Sequence, residues 1–252
     1  MSDALKRFRD EAGAMARELG QPRFQAEFAH ELDHARKTFF DDPRMRKLRD
    51  DALPFLYDDY GFGIEHSKNT ALDAAALVLG STTDLPPERS RRLAFLAQFA
   101  GLLHDVAHHE KDHPAGGAEL CRDILRNHPL EDDEREMITL AIRGHEGEAA
   151  NLEYPSPEAE ILAVCLHDAE SFRFGPDICA ATLWKFTDYL ESPLETLPPA
   201  FDESMERAEV LRGTFLSRLG RAYGPELLDI GIALAPRLKA RLEELALREG
   251  AS

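Results

Sequence analysis

Along this chain apolar residues recur at offsets of three, four and seven, the spacing of one helical face. The pattern predicts helices over 3–19, 23–39, 66–79, 91–109, 131–146, 158–172, 203–219 and 225–249. No segment shows the period-two alternation of a strand. Between the helical segments lie turn residues: Pro22, Asp41-Asp42-Pro43, Gly61 to Gly63, Pro86-Pro87, Pro155-Ser156-Pro157 and Pro198-Pro199. Pro236 is expected to break or kink the last helix. Another helix is expected to start inside KDHPAGGAEL, with Asp112 as N-cap and Pro114 in the first turn. The expected fold class is all-α.

The faces of these helices carry unusual residues. His104 shares its face with Ala97, Ala100 and Gly101, whose small side chains leave room for another group. His145 shares a face with Ile138, Ala141 and Ile142, and Asp168 with Ile161, Val164 and Cys165. A carboxylate on an apolar face is expensive unless a cation meets it. His66 differs, because its face carries Asn69, Thr70 and Asp73. The stretch LLHDVAHHEKDHPAGGAEL adds His108, His109 and His113. Neutral imidazole and ionised carboxylate are both good ligands for divalent metals.

Composition narrows the choice of partner. The formal net charge of −17 disfavours polymeric nucleic acid, although a bound metal pair would invert the sign locally for a small phosphorylated molecule or nucleotide. The cysteines Cys121, Cys165 and Cys179 form no CxxC pair, and Cys165 lies in the apolar run ILAVCL. That usage fits a reducing compartment. The first residues hold no apolar signal core, and no run approaches the ~18 apolar residues of a membrane span. A cytoplasmic protein with no membrane partner is expected, and a homodimer is compatible with its helical surface.

His66, then His104-Asp105, then Asp168 resembles the H…HD…D order of the HD-domain superfamily of metal-dependent phosphohydrolases. HPAGGAEL looks like the segment that supplies a further histidine in binuclear members, here His113. IRGHEG looks like the segment that supplies another, here His145. The resemblance implies an HD-domain helical bundle with its core at 60–175. Residues 1–59 and 176–252 would be helical extensions packed on that core, all within a single domain 1–252. It also implies two divalent metal ions (Fe, Mn, Mg, Co, Ni or Zn). His66, His104, Asp105 and Asp168 would hold the first. Asp105 would bridge to a second, completed by His113 and His145.

Two such ions activate a bridging hydroxide that attacks a phosphomonoester or phosphodiester. Asp105 and His108 are then the catalytic candidates, His108 standing where one branch of the family has a lysine. Lys68 and Arg143 are candidates to bind the substrate phosphate. GHEGEAANLEYP departs from the cyclic-dinucleotide branch called HD-GYP, lacking its second histidine and its GYP signature. The same ligand set also suits an HD-fold diiron oxygenase, or a non-catalytic regulatory protein that binds metal or ligand.

Overall fold

The computed structural model describes residues 3–56, 63–147, 149–177 and 197–249, and every regular element among them is helical. In chain order these are α1 (Asp3–Glu18), α2 (Arg23–Glu27), α3 (Ala29–Asp41), α4 (Pro43–Ala52), α5 (Ile64–Ser81), α6 (Pro87–Leu103) and α7 (His113–Leu125). They are followed by α8 (Asp132–Gly144), α9 (Pro157–Phe172), α10 (Leu197–Leu211) and α11 (Arg218–Glu249). The all-α expectation holds. Cys179 and the segment Tyr57 to Phe62 lie outside the described residues.

The centre of the molecule is α6, apolar around most of its circumference and buried from Leu93 to Leu103. A helix apolar on all sides belongs inside a bundle. It packs on α5, α8 and α9, while α3 covers α5, and α7 lies on α8. α5 and α6 meet through small residues. A side chain at Gly101 would come within 2.5 Å of the Ala71 Cα, so only glycine permits this approach. A smaller core joins Phe8 and Ala12 of α1 to Phe201 of α10 and to Leu234, Leu238 and Leu242 of α11.

Local chemistry explains the boundaries. Asp112 caps α7 as expected, its carboxylate accepting from the Ala115 amide at 3.3 Å. α4 was not expected, because Asp42-Pro43 reads as a turn. Here Asp42 is an N-cap that accepts from the Arg44 amide at 2.8 Å, with Pro43 in the first turn. α6 stops at Leu103 instead of 109, and residues 104–112 form turns. Conversely α11 runs through both Pro225 and Pro236. Each proline forfeits one helix hydrogen bond, at about 3 kcal/mol. Burial of Leu234, Ala235 and Leu238 around Pro236 opposes that loss.

Candidate metal centre

Three histidines near the centre share one local device. His104 and His145 are the C-cap residues of α6 and α8. The Nδ1–H of His104 donates to the Gly101 carbonyl at 2.8 Å, and that of His145 to the Ile142 carbonyl at 2.6 Å. His108 repeats the pattern toward the Asp105 carbonyl at 3.1 Å. In each case the bond satisfies a carbonyl three residues back. It also fixes the neutral ring with its Nε2 lone pair pointing away from the helix.

Those lone pairs converge. The Nε2 atoms of His66 and His104 stand 3.2 Å apart, and Asp105 Oδ2 lies 3.4 and 3.3 Å from them. Glu170 Oε2 completes the set, 3.1 Å from His66 Nε2 and 3.2 Å from His104 Nε2. Ligand atoms about 2.1 Å from one ion stand about 3.0 Å apart in an octahedron and about 3.4 Å apart in a tetrahedron. All five separations fall in that interval; His66, His104 and Asp105 fit a divalent ion, with Glu170 beside both imidazoles.

The other oxygen of Asp105 faces a second set. Asp105 Oδ1 is 3.5 Å from His113 Nε2 and 3.8 Å from His145 Nε2, and those nitrogens are 3.3 Å apart. Thus His66, His104 and Asp105 can hold one metal ion, and Asp105, His113 and His145 another. His113 reaches the centre from the first position of α7, as its place just after the N-cap requires.

The electrostatics of the protein groups point the same way. Burial disfavours a charged His104, but the carboxylates of Asp105 and Glu170 outweigh it and raise this imidazole well above its usual range. His66 is raised for the same reason. Burial likewise opposes charge on Asp105 and Glu170, yet the two histidines hold both carboxyls below the usual carboxylate range. Burial, with the charge of His104 beside it, outweighs the same carboxylates at His145, which falls to about 4 and is neutral at pH 7. Two buried carboxylates here draw positive charge from whatever can supply it: protons, or a metal ion.

Asp168 is a correction to the expected ligand set. Its Oδ1 and Oδ2 accept the amides of Leu216 and Ser217, both at 2.8 Å, at the start of α11. Gly220 leaves the space in which that carboxylate sits. Asp168 therefore fastens α9 to α11 and turns away from the histidines. Glu170, two residues on and about 200° around the helix, takes the place assigned to it. Glu170 also accepts from Thr70 Oγ1 at 3.3 Å.

A cavity of about 580 Å³ opens on the centre. Asp105, His108, His113, His145 and Glu170 line it, and so do Phe174, Arg207 and Leu211. His108 Nε2 is buried there with no hydrogen-bond partner, and burial lowers its basicity. Of the two expected phosphate ligands, Lys68 pairs with Glu65 and Arg143 is exposed, and neither lines this cavity. The cation on its wall is Arg207, which lies over the Phe174 ring at 6.0 Å. His167 buttresses the site: its Nδ1–H donates to the His145 carbonyl at 2.9 Å, and its Nε2 lies 3.3 Å from the Thr214 carbonyl oxygen.

Both described cysteines are free and buried, and burial pushes the Cys121 thiol up to about 12. Among the described residues no helix is long and apolar enough to cross a membrane. Comparison of the chain with protein-family models, with curated proteins and with solved structures found no match in any of the three.

Proposed function

We propose that this protein is a metal-dependent phosphohydrolase of the HD-domain type, acting on a phosphomonoester or phosphodiester of a small molecule or nucleotide. One observation carries the reading: the two oxygens of Asp105 face separate pairs of imidazole nitrogens. A shared carboxylate of that kind holds two ions side by side. His66, His104, Asp105 and Glu170 would hold the first, and Asp105, His113 and His145 the second. Bound there, two divalent ions supply an activated water and neutralise charge developing on phosphoryl oxygens.

The protein's own groups have separate tasks. Arg207 attracts the anionic substrate into a chain whose net charge of −17 otherwise repels it. Phe174 and Leu211 pack against its apolar part and exclude water. His108 lines the cavity with its Nδ1–H committed to the Asp105 carbonyl, which leaves its buried Nε2, without a hydrogen-bond partner, as the basic atom. It takes a proton from the attacking water as the new O–P bond forms. It returns that proton to the leaving oxygen as the old P–O bond breaks.

The test is metal content per chain after purification without oxygen or added metal, beside His113→Ala, followed by a panel of phosphoesters. Two ions falling to one, with at least one phosphoester hydrolysed, is the expected result. A single ion in both proteins would remove the second site. Two iron ions, oxygen consumption and no phosphoester hydrolysis would replace the hydrolase by an oxygenase.

A further inference from the structure

We infer that Glu146 is the terminal carboxylate ligand of the second ion. This rests on the two-ion reading above and completes it. As they stand, the two sets are unequal. The first has two imidazoles, one oxygen of Asp105 and the Glu170 carboxylate within 3.4 Å of their neighbours. The second has two imidazoles and the other Asp105 oxygen, with no carboxylate of its own.

Glu146 stands next to His113 of that second set. Its Oε1 is 3.6 Å from His113 Nε2, close to the separation of two donors on a common ion, about 3.0–3.4 Å. The side chain lines the cavity and is half exposed, so it faces the reactants and has room to close on an ion. Its backbone is fixed by its neighbour, because His145 is held at the C-cap of α8 by its bonds to Ile142 and from His167.

With Glu146 included, each ion has two imidazoles, one terminal carboxylate and one oxygen of Asp105. Charge follows the same logic. Asp105, Glu146 and Glu170 bring three negative charges to two dications, leaving one net positive charge to receive an anionic substrate. Without Glu146 the second ion would have only half of a shared carboxylate for compensation.

The experiment is a Mn(II) titration of the metal-free full-length chain, read by calorimetry and by electron paramagnetic resonance. Wild type should take up two ions and give the signal of a coupled pair. Glu146→Gln should keep the first ion, weaken the second at least about tenfold and lose the coupled signal. Arg143→Gln, a change on the exposed side of α8, should leave both ions in place. Two ions of unchanged affinity in Glu146→Gln would overturn the assignment, even if turnover fell. Fewer than two ions in wild type would instead overturn the two-ion reading beneath it. The melting temperature of metal-free Glu146→Gln should match wild type, because the side chain is half exposed; a large fall would mean that the residue is structural.

Discussion

α5 and α9 bury two charged clusters side by side, and they are compensated in opposite ways. Arg173, at the end of α9, is paired with Asp73 of α5 and with Asp177. Three residues earlier on each helix, Glu170 meets Thr70 and His66, and the cluster continues to His104 and Asp105. The first cluster contains its own permanent cation, since a guanidinium does not lose its proton. The second has carboxylates and imidazoles only, whose positive charge is as exchangeable as a proton. Burial costs both clusters alike. One is finished when the chain folds, and the other is finished by what the solvent brings.

That contrast is broken most severely at Asp105. Asp105→Asn removes the one charge common to both ion sets while keeping the shape of the side chain. Metal content should fall from two ions per chain to near none, and phosphoester turnover by about 10³-fold or more. The metal-free variant should still fold. Circular dichroism and elemental analysis on one sample decide it, and a variant holding two ions would dissolve the idea of a shared carboxylate.

The next largest effect lies in the finished cluster and is of the opposite kind. Arg173→Met leaves Asp73 largely buried without its cation, a loss of about 3–5 kcal/mol in denaturant unfolding. Metal content should stay at two ions per folded chain. If instead the ions were lost at unchanged stability, the two clusters would be one network and the distinction drawn between them would fail.

A pair of substitutions on α9 sharpens the same point at smaller scale. Asp168→Ala removes the acceptor of two amides and should lower stability by about 2 kcal/mol, with both ions retained. Glu170→Gln should instead weaken the first ion at least about tenfold. Exchange of these outcomes would restore Asp168 as the ligand.

The α9 pair also shows what a one-dimensional pattern can and cannot hold. His104 and His145 were legible on faces whose neighbours are small or apolar, while His66, Asp105 and His113 were legible through the resemblance to the H…HD…D order and its binuclear members. The turn from His104 to Asp112 and the start of α7 bring them together. In LHDAESF two carboxylates stand two residues apart on opposite faces of one helix, Asp168 beside Ile161, Val164 and Cys165 and Glu170 beside Ala163, Leu166 and His167. What separates them is the start of α11, whose amides at Leu216 and Ser217 need an acceptor. That demand arises about fifty residues downstream and leaves no mark near Asp168. Arg207 was missed for a similar reason, since its place on the cavity wall depends on how α10 crosses the end of α9. The helices themselves were legible wherever their faces were periodic. The exceptions were α4, where a capped start looks like a turn, and α11, where packing carries a helix through two prolines. The segment 23–39 also breaks at Phe28 into α2 and α3, and α10 begins at Leu197, ahead of Pro198-Pro199, and ends at Leu211 rather than 219.

The smallest effect is a drift with pH, and it tests whether protons stand in for the missing cation. In the metal-free protein, burial lowers His66 and His104 but the carboxylates of Asp105 and Glu170 more than reverse it, so both lie above the unfolded value of about 6.5. Groups raised on folding contribute stability that is complete below the unfolded value and lost as pH rises through the folded one. His145 works in the other direction, because it is depressed to about 4 and its contribution is lost only as pH falls from 6.5 toward that value. Above pH 6.5 His145 stays neutral, and the raised pair alone sets the slope. The chelated protein should therefore lose about 2–4 °C in melting temperature between pH 6.5 and 8.5. The metal-loaded protein should lose none of this, since bound ions already hold those imidazoles neutral, and metal affinity should climb over the same interval. Parallel slopes for the two forms would mean that the ions are not bound where the protons are.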